Sequence, residues 1–333
     1  MRVHLTLRHA LSAGITLVAL AVLCATPGLL GDRIRTALSG VAAAPPGPLW
    51  AATVCFVLTN VCAAMAWRVA LRTCDTPFTV SDAAARYCVG SGVNAVAPLH
   101  AGSAVRLALF ARRTEGGAWT VGGAAAAVGA IRGIWLVALV ASGCAMGALP
   151  AWPLLALVGV GVGFVSVSIC ARRIRWPQRA AHVLDAFREL RRSPRDLAAV
   201  AGWSLAGAVA KVGAAAAVAA ALGVGHPLGA ALVIVAAVEL AAIMPLTPGN
   251  VGVASAAIAL ALSARGIDSH LGLSVGIAFG AVEWLTGLGV GVAGGLVLSR
   301  HRFNPRLVLA ASAAGAWALV VAFGATVVLP VLS

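Results

Sequence analysis

Seven stretches of about 20 or more mostly apolar residues decide what this chain folds into: 11–30, 49–71, 119–147, 152–171, 197–222, 271–298 and 306–330. At 1.5 Å of rise per residue, roughly 20 apolar residues carry a helix across about 30 Å of hydrocarbon. Hydrophobic residues are 61% of the 333 and charged residues 10%, which leaves too little polar surface for a water-soluble globule. Only helices and closed barrels satisfy their backbone within lipid. The chain is therefore predicted to be all-α, a polytopic membrane bundle forming a single transmembrane domain over 1–333, with about seven full spans.

The formal charge of +14 does not point to nucleic acid, because the arginines sit at the junctions between apolar runs. The densest group is "RRIRWPQRAAHVLDAFRELRRSPRD" at 172–196, where eight Arg face three acids. Within it Ala180, Val183, Leu184, Phe187 and Leu190 recur at helical spacing, as in an interfacial helix on anionic headgroups or a solvated loop helix. Placing this segment in the cytoplasm puts "GALPAWP" (147–153) outside and "SRHRFNPR" (299–306) inside. The amino terminus, with Arg2 and Arg8, is then cytoplasmic, the carboxyl terminus outside, and the first run a retained signal anchor. The seven cysteines (24, 55, 62, 74, 88, 144 and 170) lack CxxC pairs or histidines at metal spacing. They read as small buried hydrophobes, with no metal or cofactor implied.

Two further apolar segments, 83–111 and 228–266, each begin and end on one side of the membrane and each carry a break: "VNAVAPLHAG" (93–102) and "MPLTPGNVG" (244–252). The arms of the first are too short to span. In the second the leading arm is long enough to span and the trailing one is not. Both are predicted to be re-entrant helical hairpins entering from opposite faces, an arrangement that marks a mid-depth binding site between inverted repeats. The order along the chain is two N-terminal spans (1–82), a hairpin with two spans (83–171), the basic segment (172–196), a linking span (197–222), and a second hairpin with two spans (228–333).

At each break the second arm starts with a free helix N-terminus, whose N–H groups favour an anion. Gly102, Gly249 and Gly252 let a ligand approach the backbone, and Pro98 and Pro248 end a helix without wasting a donor. Asn94, His100, Ser103, Thr247 and Asn250 supply neutral hydrogen-bonding groups, as ligand contacts or as caps. Among the few charges inside the apolar segments, Arg106 and Arg132 are the candidate anion ligands. Glu239 and Glu283 are candidates for pairing with Arg132 or Lys211, or for carrying a proton. Arg68 reads as snorkelling to the nearby surface. Gly276, Gly280, Gly287, Gly291 and Gly295 form a ridge suited to close helix packing within the chain.

"GSGVNAVAPLHAGSAVRLALFARR", "AIRGIW", "MPLTPGNVGVASAAIALALSARGI" and "AVEWLTGLGVGVAGG", in that order, resemble the flippase-like transmembrane region of lysylphosphatidylglycerol synthases and their standalone relatives. The likeness covers nearly the whole chain, with Asn94, Pro98, Gly102, Arg106, Arg132, Pro248, Gly249 and Gly252 at the family's motif positions. It implies a multi-pass plasma-membrane protein that binds a lipid with an anionic, modified or polyprenyl-linked headgroup and moves it between leaflets. This chain departs from the pattern at Asn250, Ala254 and Ser255, where the family usually has a second glycine and an Arg-Glu pair. It also departs around Arg132, which lacks flanking acids, and at Glu283, where an arginine is common. With no soluble aminoacyl-transfer domain after Ser333, the chain is not expected to be a synthase of that type, or an enzyme. The alternatives are an intramembrane enzyme or enzyme partner acting on a lipid-linked phosphate or sugar, and a scaffold without transport. The oligomeric state is left open.

Overall fold

A computed structural model of the chain describes residues 39–41, 43–96, 101–145, 147, 159, 188–242 and 251–299. The runs at 11–30 and 306–330, nearly all of 152–171, the turns 97–100 and 243–250, and residues 172–187 of the basic segment lie outside the described residues. Among those described, every regular element is helical. The longer helices are α1 (Pro46–Arg72), α2 (Val80–Val96), α3 (Ala101–Ala111), α4 (Gly117–Ala145), α5 (Pro194–Ala221), α6 (Pro227–Ala241), α7 (Val251–Ser263) and α8 (Ser269–Ser299).

Helices α1, α4, α5 and α8, with 27, 29, 28 and 31 residues, are long and apolar enough to cross a membrane. They correspond to four of the seven runs, and each begins two or three residues before its run. The reason is capping chemistry that hydropathy does not count. Pro46 and Pro194 stand in the first turn, where no N–H is needed, and the Ser193 hydroxyl accepts the Asp196 N–H at 3.4 Å. The remaining helices are short: α2 and α3 rise about 25 and 16 Å, α6 and α7 about 22 and 20 Å. Because α6 starts at Pro227 and ends at Ala241, it too falls short of 30 Å, where the sequence suggested a leading arm long enough to span.

The chain thus repeats an order, long–short–short–long, in 46–145 and again in 194–299, and packing reverses its direction. Cys62 lies beside Gly207 and Cys55 beside Gly213, so α1 and α5 are antiparallel. Arg86 and Gly90 of α2 meet Leu109 and Arg106 of α3, an antiparallel pair. Ser255 and Ala259 of α7 meet Gly276 and Gly272 of α8, and Ala85 and Gly92 of α2 meet Gly294 and Gly291 of the same helix. Following these contacts from helix to helix, each element of the first unit runs opposite to its counterpart in the second. From the sequence the repeat is expected at 83–171 and 228–333, with opposite orientation; the described packing shows a reversal between 46–145 and 194–299.

One hydrophobic core joins α1 to α5, α6, α7 and α8, with Phe56 and Phe279 edge to face at 5.1 Å. A second joins α1 to α2, α3, α4 and α5 around Phe110. Helix α8 binds them together. Gly272, Gly276, Gly287, Gly291 and Gly294 fall on one side of it, and the backbones of α7 and α2 lie on that side. A Cβ on Gly276 would stand 2.6 Å from the Ser255 carbonyl oxygen, and one on Gly92 2.8 Å from Gly291 Cα. The glycine ridge is therefore used within the chain at Gly276, Gly287 and Gly291, whereas Gly295 meets nothing.

Candidate functional site

The two short-helix pairs converge on that stripe. Trp284 Nε1 donates to the Ala95 carbonyl at 2.7 Å, fixing the last turn of α2 at the level of residue 284. Ser255 Oγ donates to the Gly276 carbonyl at 2.9 Å, and the antiparallel register places the start of α7 level with about residue 280. A Cβ on Gly287 would lie 3.9 Å from the Ala95 Cβ, so the described end of α2 and the described start of α7 lie roughly 10 Å apart along the axis of α8.

Beside this junction lies Arg106. Helix α3 crosses α2 so closely that a Cβ on Gly102 would collide with the Gly90 carbonyl and the Asn94 side chain. Glycine at 102 and 90 thus brings Arg106 onto α2. Its guanidinium carbon sits 3.7 Å from the Tyr87 ring centre and 5.8 Å from that of Trp67. Arg106 Nη2 donates to Ser91 Oγ at 3.2 Å, and that hydroxyl donates to Asn60 Oδ1 at 2.8 Å, a polar chain across α3, α2 and α1. No carboxylate pairs with Arg106 among the described residues. Its Nε and the neighbouring Asn94 Oδ1 are both buried without a hydrogen-bond partner there.

The other intramembrane charges assemble elsewhere. Glu239 Oε1 on α6 accepts from Lys211 Nζ of α5 at 2.8 Å and from Arg132 Nη2 of α4 at 3.0 Å. Glu283 Oε1 on α8 stands 3.6 Å from the same Lys211 Nζ. The sequence-level pairing of Glu239 and Glu283 with Arg132 and Lys211 is what the packing forms, and Arg132 enters it as a compensated cation. Lys211, treated at first only as a partner, is the hub: it is buried and touches both acids. Arg68 does more than reach the surface, since its Nε donates to the Phe78 carbonyl at 2.8 Å and ties down the turn between α1 and α2.

Of the candidate residues, Asn94, Gly102, Ser103 and Arg106 lie together on the α2–α3 pair, Gly252 is exposed in the first turn of α7, and Arg132, Glu239 and Glu283 share the charged cluster. Pro98, His100, Thr247, Pro248, Gly249 and Asn250 lie outside the described residues. Sequence reading missed Tyr87, Ser91, Asn60 and Trp67 around Arg106. Tyr87, Ser91 and Asn94 recur at spacings of four and three, so one polar face of α2 was available as a signal.

The search of curated proteins finds no match to this chain. The family profile described as the lysylphosphatidylglycerol synthase TM region matches residues 10–291, which takes in all the helices above except the last turns of α8. Together with four spanning helices, that match makes the chain a multi-pass membrane protein that belongs to the lysylphosphatidylglycerol synthase TM region family.

Proposed function

We propose that this protein carries a lipid with an anionic headgroup between leaflets, seating the headgroup beside Arg106 where the ends of α2 and α7 meet, while the hydrocarbon tails stay in the bilayer. In this reading α2–α3 and α6–α7 are re-entrant hairpins entering from opposite faces of the plasma membrane, and the amino terminus is cytoplasmic. The observation that carries it is Arg106, a guanidinium inside the bundle with no acid against it among the described residues. A charge at a helix centre costs at least about 2.5–3.5 kcal/mol, and an aromatic face returns about 0.5–2 kcal/mol. An anion supplied by a ligand offsets the rest, and a phosphate suits the paired donors of a guanidinium.

A carrier fits this chemistry better than a catalyst. A general acid or base would have to stand against the bound headgroup; Glu239 Oε1 already holds two cations, Glu283 lies against Lys211, and no carboxylate pairs with Arg106 among the described residues. The test is purified protein in liposomes of phosphatidylethanolamine and phosphatidylglycerol containing a trace of acyl-NBD phosphatidylglycerol, with dithionite bleaching of the outer leaflet. Wild-type protein exposes the inner label and Arg106→Ala does not. Equal exposure by the two proteins overturns the reading.

A further inference from the structure

Four charged groups deep in the bundle, Arg132, Lys211, Glu239 and Glu283, sum to zero, yet they are held unequally. Glu239 receives two short contacts to one oxygen, so protonating it strands two cations at once. Among the described residues Glu283 makes one ion-pair contact, at 3.6 Å, and its side chain is 40% exposed, against 19% for that of Glu239. A carboxylate with an open side at this depth cannot face hydrocarbon cheaply, so its open side faces water.

We propose that this cluster is a proton-binding site, with Glu283 the carboxylate that gains and loses the proton, and that an anionic lipid and the proton cross together. The proposal rests on the carrier reading for what the proton drives. A proton from water adds to a Glu283 carboxylate oxygen, the Glu283–Lys211 ion pair is lost, Glu239 keeps both cations, and the cluster passes from zero to one net positive charge. That charge favours an anion at the Arg106 site, and by linkage the anion favours the proton. A singly charged headgroup and one proton then move as a neutral pair. The next residue on α8 couples the event to the hairpin, because Trp284 Nε1 holds the Ala95 carbonyl at the end of α2.

The surroundings leave Glu283 as the group able to change charge. Helix α5 sets Lys211 against it, and α6 and α4 add Glu239 and Arg132 through that lysine. Helix α7 carries no charged residue. The charges of α1 are Arg68 and Arg72 at its far end, and its Cys55 thiol faces Gly213 of α5. Those of α2 are Asp82 and Arg86, in its first two turns. On α3, Arg106 is held at Ser91.

The test uses the same liposomes with an imposed difference of one pH unit and the membrane potential clamped. With one proton per lipid, wild-type protein is expected to enrich labelled phosphatidylglycerol in the leaflet facing the alkaline side, up to about tenfold. Glu283→Gln is expected to equilibrate the label without responding to the gradient, Glu283→Asp to regain the response, and Arg106→Ala to move no label at all. A Glu283→Gln protein that follows the gradient as wild type does overturns the proposal. If wild-type protein moves no labelled lipid, the carrier reading fails, and infrared titration in nanodiscs decides the proton site separately. A protonated-carboxyl band that appears on acidification and is missing from monodisperse Glu283→Gln upholds the site. A band unchanged by the substitution overturns it.

Discussion

Arg106 and Arg132 look alike in the sequence, each a lone arginine in an apolar helix, and the bundle treats them in opposite ways. Arg132 reaches Glu239 at 3.0 Å and shares that carboxylate with Lys211. Arg106 is given aromatic rings, one serine hydroxyl and no acid among the described residues. A guanidinium that is compensated within the protein holds helices together. One left uncompensated beside orphaned polar atoms holds a place for a ligand. Stability and lipid binding should therefore separate at these two positions.

The largest effect is expected from removing the shared acid. Glu239→Ala leaves Lys211 and Arg132 without their common partner and should cost about 3–5 kcal/mol of stability, read as unfolding of purified protein in detergent. A loss no greater than that of Arg106→Gln breaks the contrast between the two regions.

Next comes the crossing that presents Arg106. Gly102→Ala sets a methyl group against the Asn94 side chain and the Gly90 carbonyl, the latter backbone that has nowhere to go, and should cost about 1–3 kcal/mol. Gly295→Ala, on α8 but in open space, serves as the control and should be close to neutral. Equal effects at the two glycines would mean that α2 and α3 are not in contact as described.

Arg106→Gln sharpens the contrast from the other side. Its stability cost should stay below about 2 kcal/mol, the value of the lost cation–π contact. Affinity for an anionic lipid should fall by a factor of ten or more, because a charge-assisted hydrogen bond contributes about 1.5–3 kcal/mol.

The smallest effect lies outside the membrane helices. Asp268 accepts the backbone N–H groups of Leu271 and His270 at the start of α8, and these bonds hold its carboxyl below the ordinary aspartate value. A depressed carboxylate pKa adds stability that is present above the unfolded value of about 3.9 and is lost as pH falls through the lower folded value. Thermal unfolding between pH 5 and pH 3, figures chosen about that value, should therefore show a downward component that Asp268→Asn removes.

How much of this was legible beforehand follows from what a sequence encodes locally. Chain length set against bilayer thickness located α1, α4, α5 and α8, and the Pro–Gly breaks located the ends of α2 and α7. Charge in an apolar helix marked Arg106, Arg132, Glu239 and Glu283 as special. Which of them pair was decided by contacts 28 and 107 residues apart in the chain, Lys211 with Glu239 and Arg132 with Glu239, and no local pattern carries that information. The aromatic setting of Arg106 was hidden for the same reason, since Trp67 lies on α1 and Tyr87 on α2. Opposite orientation of the two units was expected from loop charge and parity, whereas the faces on which α1 and α5 touch, at Gly207 and Gly213, show only once packed.

The most direct test of the separation is native mass spectrometry of wild-type, Arg106→Gln and Arg132→Gln proteins released into detergent with graded phosphatidylglycerol. The expected result is bound lipid on wild-type protein and on whatever Arg132→Gln protein remains folded, with occupancy at least about tenfold lower for Arg106→Gln. Equal occupancy of wild-type and Arg106→Gln proteins would contradict the assignment of Arg106 as the headgroup ligand.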